Sequence, residues 1–264
     1  MNRFGTIDIC LTSISSRIGS VELTLRSLLA QDYDDVHVRL YLSREPYLLD
    51  EGVPELPAAL VELAASSRGR LEIVYTRNTG PYRKLIPFLQ AHWGQSRLVV
   101  TVDDDTIYPR DWLSGLLAAY ELYGCSVAYR GHRVNTKGDG FAPYRSWMKN
   151  TIEENPSLLI LPTGKDGILY DTAFLPINIL NMTDALRLAP TADDLWFRWN
   201  LAMNGVQVYV INTDYRTAFE ETGYDSSLYL NYNRDGRNDT AIQALHDYFK
   251  DHHRFSLAEV TGAG

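Results

Sequence analysis

Three consecutive carboxylates, Asp103, Asp104 and Asp105, follow an apolar, β-branched run at residues 98–102 and precede the sequence TIYP. Adjacent carboxylates repel one another, so they are best tolerated at an exposed strand end, where a divalent cation can neutralise them. Because alternate side chains of an extended segment share a face, we predict that Asp103 and Asp105 lie together, a spacing that suits a metal ion bridging to a diphosphate. A solvated acidic turn has the same composition, but the ligand sites of open α/β sheets lie at the carboxyl ends of their strands.

A second acidic pair, Asp193 and Asp194, stands at the start of a predicted helix at residues 192–203. Acidic residues in the first turn of a helix often only cap its amide groups and offset its dipole. The functional alternative is a general base, since a carboxylate held near a bound cation can accept a proton from an attacking hydroxyl. The sequence alone leaves both interpretations open.

Two further segments, one rich in glycine and one in basic residues, are candidates for ligand binding. Gly164 and Gly167, in the sequence TGKDG, permit close approach of the backbone to a ligand, although a plain turn has the same composition. Lys84 follows a predicted strand end together with Arg77 and Arg83. There these side chains are either solvated charges or contacts to a phosphate.

His132 and the tryptophans are less specific candidates. His132, in the sequence RGHR, is compatible with a metal ligand but is more simply a loop histidine. Trp147 lies in a polar loop, which favours stacking of its ring on a sugar, whereas Trp112, Trp196 and Trp199 fit the core equally well.

Strands and helices alternate at short intervals in the first half of the chain. Hydrophobic periodicity predicts strands at residues 5–12, 36–42, 71–75 and 98–102, and helices at 21–31, 58–65, 82–92 and after Pro109. This alternation predicts an α/β fold with a mostly parallel sheet covered on both faces. The second half is less regular, with strands predicted at 126–130, 158–161 and 207–211 and helices at 176–188, 192–203 and 240–251.

Composition narrows the class of protein. The 264 residues, of which 45% are hydrophobic, can bury one large core, and we expect a single domain. A net charge of −8 without a basic block disfavours nucleic acid as a partner. Cys10 and Cys125 have no metal-type spacing and are predicted to be core residues, which fits a reducing compartment. No secretory or membrane-spanning pattern is present, so we expect a cytoplasmic protein without a transmembrane segment.

Several motifs occur in a fixed order along the chain. They are LTS at 11–13 with Arg17, YRKLIP at 82–87, TVDDDTIYP at 101–109, RGH at 130–132, PTG at 162–164 and ADDLWF at 192–197. In this order the sequence resembles inverting, family-2-like glycosyltransferases of the GT-A fold, and more closely a bacterial group involved in capsule and lipopolysaccharide glycans. The resemblance extends to about Ile211.

The resemblance implies a GT-A-like fold, with a nucleotide-binding half at about 1–108, an acceptor-binding half at about 109–214 and a tail at about 215–264. It also implies that Asp103 to Asp105 hold Mn²⁺ or Mg²⁺ against the diphosphate of a nucleotide sugar, with Asp105 as the direct ligand. Residues assigned to the nucleotide sugar are Thr12, Ser13, Arg17, Lys84, Asp103, Asp104, Gly164 and Gly167. The base comes from the acidic pair, and Asp194 is favoured over Asp193 because it matches the second acid of the family's motif. The acceptor is a glycan, and the residues assigned to it are His132, Trp147 and Trp196.

The chain also departs from the group's pattern. Asp166 stands where the glycine loop usually has a second glycine, and Asp171 stands where a proline is usual. The acidic residue that grips uracil after the second strand is replaced by the sequence LSR at 42–44. These changes leave the donor sugar and the acceptor open and weaken the assignment of the nucleotide, for which UDP is favoured.

Two other functions fit some of the same residues. A phosphatase of the haloacid dehalogenase type also has an Asp-x-Asp after a strand, but its catalytic strand normally comes first in the fold. A non-catalytic module that binds a sugar nucleotide or a glycan would keep the fold without turnover. A lipid-linked acceptor would bring the chain to the inner membrane surface as a peripheral protein.

Overall fold

A seven-stranded sheet forms the centre of the part of the chain that the computed structural model describes, which comprises residues 3–213, 219–221, 229–233 and 236–260. Its strands in chain order are β1 (Ile7–Thr12), β2 (Val36–Leu42), β3 (Leu71–Tyr75), β4 (Leu98–Thr101), β5 (Ser126–Ala128), β6 (Ile168–Asp171) and β7 (Val208–Val210). Across the sheet they lie in the order β7-β5-β6-β4-β1-β2-β3. Strand β6 runs antiparallel to β4 and β5, and the other neighbours pair in parallel.

Helices connect these strands. The α-helices are α1 (Val21–Leu29), α2 (Ala58–Ser66), α3 (Ile86–His92), α4 (Trp112–Tyr123), α5 (Tyr144–Trp147), α6 (Met182–Leu188), α7 (Asp193–Met203) and α8 (Arg237–His253). Single turns of 3₁₀-helix occur at Gly80–Lys84, Thr172–Phe174, Ile177–Leu180 and Leu257–Glu259, and a π-helix at Tyr229–Asn233. Short antiparallel pairs join Gly131–Arg133 to Ile160–Pro162, Thr136–Lys137 to Gly140–Phe141, and Thr106–Ile107 to Glu220–Glu221.

The two faces of the sheet carry two separate buried clusters. Because alternate strand residues face opposite sides, Ile9 of β1 packs in the cluster that includes α1 and α4, and its neighbour Cys10 in the cluster that includes α3 and α7. Both cysteines are buried free thiols, as predicted for core residues. This mixed α/β architecture with a mostly parallel sheet confirms the fold class expected from the sequence.

Several elements differ from the prediction. The segment predicted as one helix at 176–188 is a 3₁₀ turn at Ile177–Leu180 followed by α6, with Asn181 between them. The segment predicted as one helix at 82–92 is a 3₁₀ turn followed by α3, and the break lies at Leu85, whose φ of −127° is not helical. Strand β6 was not predicted because its four residues, ILYD, continue directly from the glycine loop. Residue 214 and, within the predicted tail at 215–264, residues 215–218, 222–228, 234–235 and 261–264 lie outside the described residues. Among the helices that are described, none is both long and apolar enough to cross a bilayer.

Candidate active site

The three carboxylates lie at the carboxyl end of β4, next to the end of β1, where the Val102 amide donates to the Cys10 carbonyl over 3.1 Å. Their side chains have different surroundings. The Asp103 side chain is 34% exposed and the Asp105 side chain 21%, whereas the Asp104 side chain is only 2% exposed. Asp103 and Asp105 are therefore the two carboxylates that a ligand can reach, and Asp104 points into the protein.

Asp104 anchors the loop that follows β1. Ser13 Oγ donates a hydrogen bond of 2.5 Å to Asp104 Oδ2, and an Arg17 nitrogen lies 3.1 Å from Asp104 Oδ1. Thr24 Oγ1 donates to the Asp104 backbone carbonyl over 3.0 Å. Thr12 is also engaged within the fold, since its hydroxyl donates to the Tyr41 carbonyl over 2.9 Å. These contacts fix the loop that carries the predicted nucleotide-binding residues to the tip of β4.

Arg17 bridges two of the carboxylates. Besides Asp104, its guanidinium donates to Asp105 Oδ2 over 3.0 Å. Partial burial, together with the negative charges of Asp103 and Asp104, raises the pKa of Asp105 to about 6 in spite of Arg17. The tip of β4 therefore carries more negative charge than its basic neighbours neutralise, and a bound cation would relieve this excess.

Lys84 connects the tip of β4 to the acidic pair of α7. It ends the 3₁₀ turn Gly80–Lys84 and is buried, with Nζ 3.0 Å from Asp103 Oδ1 and 3.3 Å from Asp193 Oδ2. Its neighbour Arg83 is fully buried and donates to Asp50 Oδ2 over 2.8 Å and to the Ser13 carbonyl over 3.1 Å. Arg83 thus supports the Ser13 loop from within and does not reach a phosphate.

Asp194 faces the glycine loop. The Gly164 amide donates to Asp194 Oδ2 over 2.9 Å, and a Cβ on residue 164 would lie within 3.4 Å of both Asp194 Oδ1 and Asp103 Oδ1. Burial and the adjacent charge of Asp193 raise the pKa of Asp194 to about 7. The structure therefore brings the tip of β4, the start of α7 and the glycine loop to one place.

The second glycine of that loop serves packing. Gly167 has a φ of +99°, and any side chain there would overlap the ring of Trp112. Asp166, which departs from the group's usual glycine, also has a positive φ of 73°. Its carboxylate lies 3.2 Å from Arg130 Nε, and its carbonyl accepts from Trp112 Nε1 over 2.8 Å. The buried Arg130–Asp166 pair was not predicted, and nothing in the local sequence indicates that these residues meet.

The residues assigned weakly to the acceptor lie in the interior. Trp147 and Trp196 are completely buried, and their Nε1 atoms donate to the carbonyls of Ala142 and Ile179 over 3.0 Å each. His132 is 3% exposed, and burial together with the charge of Arg130 lowers its pKa to about 4. These positions correct the prediction, because a buried ring cannot stack on or contact a glycan.

Comparison with known proteins assigns the chain to a family. The sequence profile described as "Glycosyl transferase family 2" matches residues 16–175, which is more than half of the chain. The chain belongs to glycosyl transferase family 2. The match includes Arg17, Lys84, the three carboxylates after β4 and the glycine loop, and it ends before Asp193. Membership of this family makes the protein a glycosyltransferase and removes the phosphatase alternative.

Solved structures show the same fold at low sequence identity. The structure of S. aureus TarS 1-349 matches with a TM-score of 0.50 and 18% identity, over 96% of this chain and 73% of that one. A longer S. aureus TarS structure matches with a TM-score of 0.52 and 17% identity, over 95% of this chain and 44% of that one. At such identities the likeness shows the fold alone. A search of curated protein sequences gave no significant match.

Asp103 and Asp105 have the chemistry of cation ligands. Within the described part of the chain, no three His, Cys, Asp or Glu side chains converge in a way that could hold a metal ion. Asp103 and Asp105 nevertheless fit one, because they offer partly exposed carboxylate oxygens and the pKa of Asp105 is raised to about 6 by burial and by neighbouring negative charge. Mg²⁺ is commonly held by one or two carboxylates together with phosphate oxygens of the substrate. The residues present fit a cation of that kind.

Proposed function

We propose that this family 2 glycosyltransferase transfers a sugar, with inversion of configuration, from a nucleotide diphosphate sugar to a hydroxyl group of a glycan acceptor. The observation that carries the proposal is the convergence of Asp103 and Asp194 on Gly164, where one added Cβ would contact both carboxylates. A donor held at the tip of β4 would have its anomeric carbon near a carboxylate that can act as a base. This arrangement is what a single displacement requires.

The donor would bind between the Ser13 loop and the tip of β4. Arg17 presents a guanidinium beside Asp105, and the loop is held in place by Ser13 and Asp104. Asp103 and Asp105 would hold Mn²⁺ or Mg²⁺, which when bound stabilises the charge that develops on the leaving diphosphate. We favour a UDP sugar as the donor.

Asp194 would be the base. Its carboxylate is oriented by the Gly164 amide, and burial together with the charge of Asp193 raises its pKa to about 7. Asp194 would take the proton of the acceptor hydroxyl as that oxygen forms a bond to the anomeric carbon. The bond from this carbon to the diphosphate oxygen breaks on the opposite face, and its electron pair leaves with the diphosphate.

The biological setting is part of the proposal. A bacterial glycan of the capsule or lipopolysaccharide type is the acceptor that the motif pattern favours. A lipid-linked acceptor would be reached by a cytoplasmic protein that binds peripherally at the inner membrane.

A donor screen followed by product analysis tests this function. A ligand that binds only the folded state raises the melting temperature, so UDP, GDP, CMP and dTDP sugars should be compared with and without Mn²⁺. The expected result is a metal-dependent shift with one nucleotide class, followed by transfer whose product has the opposite anomeric configuration in NMR spectra. Binding without hydrolysis or transfer across many acceptors would instead identify a non-catalytic binding module.

A further inference from the structure

We infer that Lys84 is a positioning residue that holds the acidic pair of α7 against the donor site, and that it does not bind the donor's diphosphate. The inference rests on the proposed function, because it assigns a role within the same site. It replaces the phosphate contact that the sequence suggested for Lys84.

Negative charge surrounds the Lys84 ammonium. Lys84 Nζ lies 3.0 Å from Asp103 Oδ1 and 3.3 Å from Asp193 Oδ2, and the Asp194 carboxylate is a third negative neighbour. A lysine that receives an anion needs uncompensated positive charge facing that anion. Here three carboxylates surround one ammonium, so the protein itself already compensates the charge of Lys84.

Little space is left around the Lys84 ammonium. A Cβ on Gly164 would lie 2.8 Å from Lys84 Nζ, so the glycine loop covers the ammonium closely on that side. The side chain of Lys84 is only 8% exposed. One of the three donor hydrogens of Lys84 is engaged in the hydrogen bond to Asp103 Oδ1, and the Asp193 carboxylate lies at ion-pair distance. Buried in this way, Lys84 offers little surface to a ligand.

The start of α7 depends on Lys84 for compensating charge. The N-cap residue, Ala192, has no side chain that can cap the helix, and Asp193 and Asp194 repel each other in the first turn. Asp193 is buried, and its ion pair with Lys84 provides the compensating charge that a buried carboxylate needs. By fixing Asp193, Lys84 fixes the first turn of α7 and therefore the direction in which Asp194 points.

The two possible roles of Lys84 predict different kinetics. A positioning residue affects the chemical step and leaves binding of the donor nearly unchanged. Loss of an oriented base lowers the rate by about 100-fold or more. Loss of a charged hydrogen bond to a diphosphate weakens binding by about 10-fold or more.

The experiment compares Lys84→Met, Lys84→Arg and the matched control Lys137→Met, which removes an exposed lysine from the Thr136–Lys137 strand. Affinity for the nucleotide diphosphate with Mn²⁺ is measured by calorimetry, and the transfer step by single-turnover kinetics. We expect K84M to keep its affinity within about 3-fold while the transfer rate falls about 100-fold. K84R should recover part of the rate, and K137M should match the wild type.

A loss of nucleotide affinity in K84M that parallels its loss of rate would overturn the inference. The double variant K84M/D193N removes the unpaired buried carboxylate, so it allows the same affinity measurement if K84M alone folds poorly. A wild-type chain that binds and turns over no nucleotide sugar would overturn the proposed function itself. The first result concerns only the variant and the second concerns the wild type, so the two failures can be told apart.

Discussion

Gly164 and Lys84 are in such close contact that a Cβ atom added to residue 164 would lie 2.8 Å from the lysine ammonium. The same atom would lie 3.3 Å from Asp194 Oδ1 and 3.4 Å from Asp103 Oδ1. Gly164 is therefore the point at which the groups proposed for donor binding and for proton transfer meet. Its lack of a side chain is what allows them to approach one another.

The Gly164→Ala variant should fold and lose transfer. The new methyl group must displace the Lys84 ammonium and would crowd both carboxylates, and a displacement of about 1 Å from productive geometry can cost about 100-fold in rate. We expect kcat to fall by at least about 10-fold, with a smaller change in nucleotide affinity. Gly140→Ala is the matched control, because the nearest atom to its added Cβ would be 3.9 Å away, at ordinary contact distance. Equal kcat values for the two variants would show that the contact with Lys84 has no role in turnover.

Asp194→Asn should abolish transfer and leave nucleotide binding nearly intact. The amide keeps the size of the side chain but cannot accept the proton of the acceptor hydroxyl, and a general base typically contributes about 100-fold to 10,000-fold. The measurement pairs single-turnover transfer with calorimetric binding of the nucleotide diphosphate. Asp247→Asn, on the exposed face of α8, is the control and should behave as the wild type. Transfer by D194N at the wild-type rate would reject Asp194 as the base.

The pH dependence of transfer should report the same carboxylate. Burial and the charge of Asp193 raise the pKa of Asp194 to about 7, and a base works only when deprotonated. The transfer rate should therefore rise with pH up to about pH 7 and then level off. A rate that stays constant from pH 5.5 to pH 8.5 in single-turnover assays would contradict this assignment.

The stability of the protein without metal or nucleotide should fall as the pH rises, over the same range in which the transfer rate increases. The pKa of Asp194 is higher in the folded chain than its ordinary value of 3.8, so folding favours the protonated form. The stability that this preference contributes is fully present below the unfolded pKa and is lost as the pH rises through about 7. The melting temperature of D194N, relative to that of the wild type, should therefore increase from pH 5.5 to pH 8.5 when both are measured without metal or nucleotide. A constant difference across this interval would show that Asp194 does not titrate there.

The sequence predicted the scaffold of this site well, because the scaffold depends on local patterns. The β-branched run that becomes β4 and the carboxylates at its end are neighbours in the chain, and a strand delivers whatever follows it to the edge of the sheet. The ion pair between Lys84 and Asp193 could not be predicted from local sequence patterns. It joins a 3₁₀ turn to a helix much later in the chain, and only the packing of α3 and α7 on the same face of the sheet brings them together.

Trp147 was predicted incorrectly for a different reason, because the local sequence pattern around it was misleading. The residues around it are polar, which favoured an exposed loop. In the fold its ring is covered by Phe141 and Tyr144, with ring centroids 5.7 Å and 5.6 Å away. Phe141 also packs on Trp199 of α7 and His246 of α8, so distant elements supply the apolar surroundings that the local sequence lacks.

Asp104 and Asp105 should respond differently to substitution although they are adjacent. Asp104→Ala removes the acceptor of the Ser13 hydroxyl and a partner of Arg17 in a side chain that is 2% exposed. Leaving the buried Ser13 hydroxyl without its acceptor costs about 1–3 kcal/mol, so D104A should have a lower melting temperature. Asp105→Ala removes a carboxylate that is 21% exposed and whose pKa is raised to about 6 by burial and by its acidic neighbours. D105A should melt at or above the wild-type temperature and lose Mn²⁺-dependent nucleotide binding. Equal melting temperatures for the two variants, measured without metal, would mean that Asp104 does not anchor the Ser13 loop.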